Sequence, residues 1–317
     1  MDEATMDEAT STISRRMWRA LEPFHAVTYF VAEVREALDG TGLSGFWMGY
    51  FAARAAPMGP VGPAAVSALF YNFNPAMVQR ALPEAWTRAT PEAVLSARLH
   101  AVDEALARIF GDDLRTPDIA VAADVARTAA EAASCGGRAL AAAHQALDWP
   151  TIPHLALWHA ATVLREHRGD GHVAALVAEE IDGLEANVLS VAAGASTAEL
   201  LQQSRRWSTE DWERASTALA QRGLLTTAGA LTEQGSALKA RVEDATDRLA
   251  AGPYRAHGDE ERDRLVEIAE RLALRLADGG TLPFPNPIGL PRPTAQAEPL
   301  PGAEPSTSSS TARTSSP

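Results

Sequence analysis

The densest group of chemically capable side chains in this sequence is Arg165-Glu166-His167-Arg168-Gly169-Asp170-Gly171-His172. Two arginines three positions apart can grip a carboxylate or a phosphate, and a histidine beside them can move a proton near neutral pH. Glu166, His167 and His172 are therefore the candidate catalytic groups, and Arg165 and Arg168 the candidate anion-binding ones. Asp170 is placed to cap a helix starting near His172, whose N-terminus would also attract an anion. The same residues equally suit a capped turn in which the arginines pair with Glu166, Glu179 or Glu180.

A second group is aromatic: Trp47, Tyr50, Phe51, Phe70, Tyr71 and Phe73, with Arg54 among them. Rigid rings beside one guanidinium suit a planar, acidic small molecule. The alternative is ordinary core packing, with Arg54 held by a buried carboxylate. The candidate ligand-binding residues are accordingly Trp47, Tyr50, Arg54, Tyr71, Phe73, His159, Arg165 and Arg168. Four histidines, His154, His159, His167 and His172, hint at a metal. The steps of five from His154 to His159 and from His167 to His172 put each pair on different faces of a helix, so no metal site is expected. No phosphate-binding loop, dinucleotide glycine pattern, nucleophile elbow or zinc-protease motif is present, and no cofactor is expected.

The elements that must carry these groups read as helices. Alanine and leucine dominate, and apolar residues recur at helical spacing over 14–38, with Pro23 expected to split that stretch in two. Further helices are expected over 46–55, from Pro63, after the cap Asn74, and from Pro91 to 110. Beyond Pro153 the spacing predicts helices over 154–165 and 172–193 joined by a Gly169-Asp170-Gly171 loop. Helices over 209–221, 233–249 and 260–276 follow, with 223–232 as a tight β-hairpin. The predicted fold is all-α with a small β-wing. A weak internal repeat, in which Trp47 to Arg54 and Trp158 to Arg165 share one spacing, suggests two winged-helix-like lobes in a pseudo-two-fold arrangement. The expected organisation is a disordered N-terminus at 1–14, an N-terminal helical lobe at 15–150, a C-terminal winged-helix-like lobe at 151–279, and a disordered Pro/Ser/Thr-rich tail at 280–317.

The helix, Arg222-Gly223-Leu224, the short hairpin, Leu231-Thr232-Glu233-Gln234-Gly235 and the long helix look like the wing region of MarR-type regulators. Longer stretches are similar to an actinobacterial helix-turn-helix family labelled SalK-like. They are Leu21-Glu22-Pro23-Phe24-His25-Ala26, the run at 46–57 that opens Phe46-Trp47-Met48-Gly49-Tyr50, Phe70-Tyr71-Asn72-Phe73-Asn74-Pro75, Leu157-Trp158-His159-Ala160-Ala161, the run at 164–173, and Asp182-Gly183-Leu184-Glu185. The resemblance covers roughly 15–280. It implies a helix-turn-helix fold and carries no settled activity.

Charge bears on whether such a fold would read DNA. The net charge is −13, so phosphate contacts would need a local basic patch. From Arg205 to Arg248 seven positive residues meet seven negative ones, and the expected wing Thr226-Thr227-Ala228-Gly229-Ala230 has no charge. Glu210, Asp211 and Glu213 sit at the helix end that would approach bases. DNA is thus a disfavoured partner. The lone cysteine, Cys135, excludes an intramolecular disulfide and a cysteine zinc site, which fits a reducing cytoplasm. The acidic residues 1–11 do not resemble a signal peptide, and no apolar run is long enough to cross a bilayer, so no membrane partner is expected. The expected function is a winged-helix-like protein that binds a small acidic or aromatic molecule, with a transcriptional role if DNA binding is retained. The chain would be a monomer with an internal pseudo-dimer, or a homodimer. Two alternatives stand beside this: a cofactor-independent or metal-assisted enzyme on a degenerate winged-helix scaffold, and a structural interaction module.

Overall fold

The computed structural model describes the backbone of residues 3–294 and the side chains of residues 12–294. Over that range the regular elements are helices. They are α1 (Glu3–Phe30), α2 (Ala32–Gly40), α3 (Gly45–Ala55), α4 (Pro63–Phe70), α5 (Pro75–Arg88), α6 (Pro91–Phe110) and α7 (Pro117–Glu131), then α8 (Ala139–Gln145), α9 (Pro153–Ala178), α10 (Gly183–Ala192), α11 (Ala198–Arg205), α12 (Thr209–Gln221), α13 (Glu233–Ala250) and α14 (Asp259–Asp278). None is long and apolar enough to cross a membrane.

Local chemistry explains where most of them begin. Proline occupies the first turn of α4, α5, α6, α7 and α9, where its missing N–H would be unpaired anyway. Side-chain oxygens of Asn74, Thr90, Thr197, Ser208 and Thr232 accept from the first free amides of α5, α6, α11, α12 and α13. Asp182 and Glu185 form a reciprocal capping box on α10. Pro23 does not divide α1; the break falls at Val31. Met17, Leu21, Phe24 and Val27 are buried on both sides of the proline, and this shared packing holds the helix together through the lost hydrogen bond.

Two apolar clusters organise the helices. The larger collects residues from α1 through the first half of α9 and recruits α14, which packs on α1 and α7. The smaller joins the end of α9 to α10, α11, α12 and α13. Residues 281–294 run back along the body with Leu282 and Leu290 buried. The rest of the Pro/Ser/Thr-rich tail, 295–317, lies outside the described residues.

Three further expectations are corrected. The β-wing is not formed: Leu225 and Leu231 make one isolated antiparallel bridge, and no strand occurs among the described residues. Thr226 N–H donates to the Ala230 carbonyl at 2.8 Å and Gly229 N–H to that of Thr226 at 2.9 Å, which closes a tight turn. Its residues, 226–230, are all exposed, so no apolar face exists to hold a longer ladder. The clusters likewise do not show two winged-helix lobes, being of unequal size and different build.

The third correction concerns Gly169-Asp170-Gly171, which lies inside unbroken α9. The glycine there serves close packing. A Cβ on Gly171 would stand 2.7 Å from Arg138 Nη1 and 3.3 Å from Leu249 Cβ. Through this notch Arg138 donates to the carbonyls of His167 and Leu249, tying α9 to the end of α13.

Gly183 fills a similar notch against the backbone of Tyr71, where a Cβ would come within 2.0 Å of the carbonyl oxygen. Gly183→Ala should therefore cost about 2 kcal/mol or more in urea unfolding, as an overpacked contact does. Gly40→Ala, with nothing within 4 Å of its added Cβ, should be close to neutral in the same measurement.

Candidate functional site

Glu166 sits in the middle of α9 with no solvent exposure. Arg54, at the end of α3, donates to it through Nε and Nη2, both at 2.8 Å. Arg165 donates from Nη1 to the same carboxylate at 2.8 Å, and its Nε stands 3.5 Å from Glu22 on α1. Burial would raise the Glu166 carboxyl, but Arg165 and Arg54 outweigh it and hold the group well below the usual carboxylate range. Glu22 is different: burial dominates and pushes its carboxyl up, and its Oε2 has no hydrogen-bond partner.

On one side of this cluster lies a cleft with about 570 Å³ of empty volume, solvent at its mouth included. Its walls include His25 and Tyr29 from α1, Phe46, Tyr50 and Arg54 from α3, Arg98 from α6, His144 from α8 and Glu166. Arg98 is buried, donates to the Ala53 carbonyl at 2.6 Å and lies 5.3 Å from the centre of the Trp158 ring. No described carboxylate pairs with it, and its Nε has no partner. Burial lowers its pKa to about 10, which still leaves it charged at neutral pH.

Two histidines in the cleft can be assigned tautomers from their partners. His144 Nδ1 lies 3.0 Å from the Leu140 carbonyl, which only accepts, so Nδ1 carries the hydrogen. Burial brings the pKa of His144 down to about 4, and the neutral ring leaves Nε2 a bare acceptor with no partner. A buried acceptor left unmet costs about 1–3 kcal/mol. Thr162 gives its hydroxyl proton to the Trp158 carbonyl at 2.9 Å, so it accepts from His25 Nδ1–H at 2.9 Å. Burial keeps His25 neutral, and its Nε2 then accepts from the Tyr29 hydroxyl at 2.9 Å.

A second cleft, with about 1040 Å³ of empty volume, opens on the other face between α1, α9, α10 and α13. Arg165, Arg168, His172 and Lys239 line it, but so do Glu22 and Glu243. Arg168 donates to Asp247 at 2.6 Å, and Lys239 pairs with Glu243 at 3.7 Å. His172 Nδ1 donates to Thr246, whose own proton goes to the Val242 carbonyl. The charges here largely satisfy one another.

The sequence-derived candidates are thus divided. Tyr50, Arg54 and Glu166 share the first cleft; Arg165, Arg168 and His172 share the second. His159 packs edge-on to Trp149 at 4.7 Å, its pKa lowered by burial to about 3. His167 Nε2 donates to the Ser134 carbonyl at 3.2 Å. Trp47 and Phe73 join a ring cluster with Phe51 and Phe70, and Arg54 lies 4.1 Å over the Phe70 ring. The Tyr71 hydroxyl donates to the Ile181 carbonyl at 2.6 Å. Asp170 accepts from the Ala141 amide at 3.1 Å and so caps α8 from another element. His25, Tyr29, Arg98 and His144 were not among the candidates. A signal existed only for His25, in one of the family-like stretches; nothing in the sequence sets Arg98 and His144 apart from the other polar residues of α6 and α8. No three metal-ligating side chains gather anywhere among the described residues.

The start of α12 presents an acidic face. Glu210 and Asp211 lie in the first turn of α12 and Glu213 is exposed beside them. Arg214 is paired with Asp211 and Arg222 with Glu185.

Compared with known proteins, residues 14–283 match the model of a family described as a helix-turn-helix family. No curated protein and no solved structure matches the chain.

Two outcomes follow from the buried charges. Glu166→Gln should destabilise the protein by about 3–5 kcal/mol in urea unfolding, because buried Arg54 loses its counter-charge and Arg165 is left with Glu22 alone. Burial raises Asp170 to about 6, so its folded pKa lies above its unfolded one. The stability it contributes is full below pH 4 and is lost as pH rises through 6. The buried histidines act in the opposite sense, costing stability as pH falls below their unfolded value near 6.5. Asp170→Asn should accordingly gain relative to wild type between pH 4.5 and pH 7.5, as read by urea midpoints at the two values.

Proposed function

This chain belongs to that helix-turn-helix family, and we propose that it is a receptor for a small, planar, negatively charged molecule held in the first cleft. One observation carries the reading: Arg98 is a charged guanidinium, buried in the cleft wall, without a carboxylate partner. An unpaired buried charge is costly, and an anion entering the cleft would remove that cost. The rings of Tyr29, Tyr50 and Phe46 line the same space, with Tyr29 and Tyr50 centred 5.2 Å apart, which favours a flat ligand over an inorganic ion. Arg205 is likewise buried without a carboxylate, lies 4.2 Å over Phe73 and donates to the Pro287 carbonyl, but it lines neither of the two clefts, so of these two arginines only Arg98 offers its charge to a ligand there.

Within the family we place the chain in the SalK-like group, on the stretches at 21–26, 46–57 and 164–173. We read 207–249 as a MarR-like winged-helix segment whose wing has shrunk to one bridge. Family membership favours a second reading, a transcriptional regulator whose effector is the cleft ligand. The acidic first turn of α12 weighs against tight phosphate contact by that helix.

Thermal unfolding of the full chain with benzoate-type monoanions tests the receptor reading. Saturating ligand should raise Tm by roughly 2–4 °C or more. Arg98→Gln should abolish the shift, and Arg98→Lys should keep part of it. A shift of the same size in Arg98→Gln would end the proposal. For the regulator reading, the full chain titrated onto its own upstream DNA and onto random duplex should show nanomolar, steeply salt-dependent, sequence-selective binding; no binding at low salt would discard it.

A further inference from the structure

Arg98 defines only one end of the ligand. The cleft also contains a buried acceptor with nothing to accept. His144 is fully buried, its Nδ1–H is committed to the Leu140 carbonyl, and its Nε2 meets no donor. Tyr29 does not compensate, because its hydroxyl proton goes to His25 Nε2 and its oxygen is left as a further acceptor on the same wall. The His25 tautomer that imposes this is fixed in turn by Thr162, whose own proton is spent on the Trp158 carbonyl. The cleft therefore offers a cation and acceptors that lack donors.

A simple aromatic acid would meet Arg98 and leave Nε2 of His144 unsatisfied. A ring carrying both an acid and a donor would meet both. We infer that the ligand is an aromatic carboxylic acid bearing a hydroxyl or amino group, with the acid on Arg98 and the donor on Nε2 of His144. Arg98 and His144 line the same cleft, so one ring system lodged there is the simplest occupant that meets both. The inference rests on the proposed binding of an acidic ring in this cleft, and adds the donor that such a ring must carry.

The test is isothermal titration of the full chain at pH 7.5 with benzoate, the three hydroxybenzoates and the three matching methoxybenzoates. One hydroxybenzoate should bind about tenfold tighter than benzoate, the value of one well-placed buried hydrogen bond. Its methyl ether, which keeps the oxygen and loses the donor, should forfeit the gain. His144→Leu should bring the ratio of that hydroxybenzoate's affinity to benzoate's from about tenfold to about one. The ether comparison needs no variant, so it decides the question even where the variant does not fold. If benzoate, hydroxybenzoates and ethers bind alike, the donor inference is overturned while the acid-binding reading stands. If the gain persists in His144→Leu, the assignment to His144 is overturned. If none of the acids binds, the acid-binding reading falls and this inference with it.

Discussion

The buried carboxylate of Glu166 is the point on which the rest of the molecule is arranged. A charge with no access to water is tolerable only when its partners are close and well aimed, and here two guanidiniums supply three donated hydrogen bonds. Those partners come from different places: Arg54 from the end of α3, Arg165 from the adjacent position of α9, with Glu22 of α1 behind it. Three helices that could slide on apolar surfaces are thereby locked in one register. The arrangement contributes specificity more than net stability, because desolvation of the ions offsets much of their attraction.

The same cluster divides two clefts of opposite character. On the Arg54 side the wall is aromatic, and polar groups remain unmet: the charge of Arg98 and the bare nitrogen of His144. On the Arg165 side the charges are paired among Arg168, Asp247, Lys239 and Glu243. A chain with a net charge of −13 thus keeps unbalanced positive charge in its interior, where an anion can be held away from competing solvent.

Much of the helical framework is written in local residue chemistry. Pro75 behind Asn74, Pro91 behind Thr90, and the Asp182–Glu185 box each mark a helix start that the structure shows. What failed were signals whose meaning depends on a distant partner. Gly169-Asp170-Gly171 has the composition of a turn, yet it is a notch cut for Arg138 of another element. Thr226 to Ala230 has hairpin composition but no apolar face for a ladder. The site divides along the same line. Tyr50 and Arg54 stand out by residue type within an aromatic run, whereas Arg98 and His144 look like ordinary solvent-facing residues of alanine-rich helices. Only the tertiary packing of α6 and α8 against α9 buries them. The ambiguity of Arg54 and Arg165, anion grip or internal ion pair, turns on the same tertiary fact: both contact Glu166.

The position of α14 bears on how the chain acquires its shape during synthesis. The helix is encoded after all of α10 to α13, yet its apolar face completes the cluster begun by α1 and α7. The smaller cluster is therefore an insertion in the sequence of the larger one. A ribosome must make α10 to α13 before the first-made helices can be covered. Until residues 259–278 emerge, the faces of α1 and α7 that receive α14 stay open to water. Between the completion of α7 and the arrival of α14 the growing chain thus carries an uncovered apolar groove, which α14 closes.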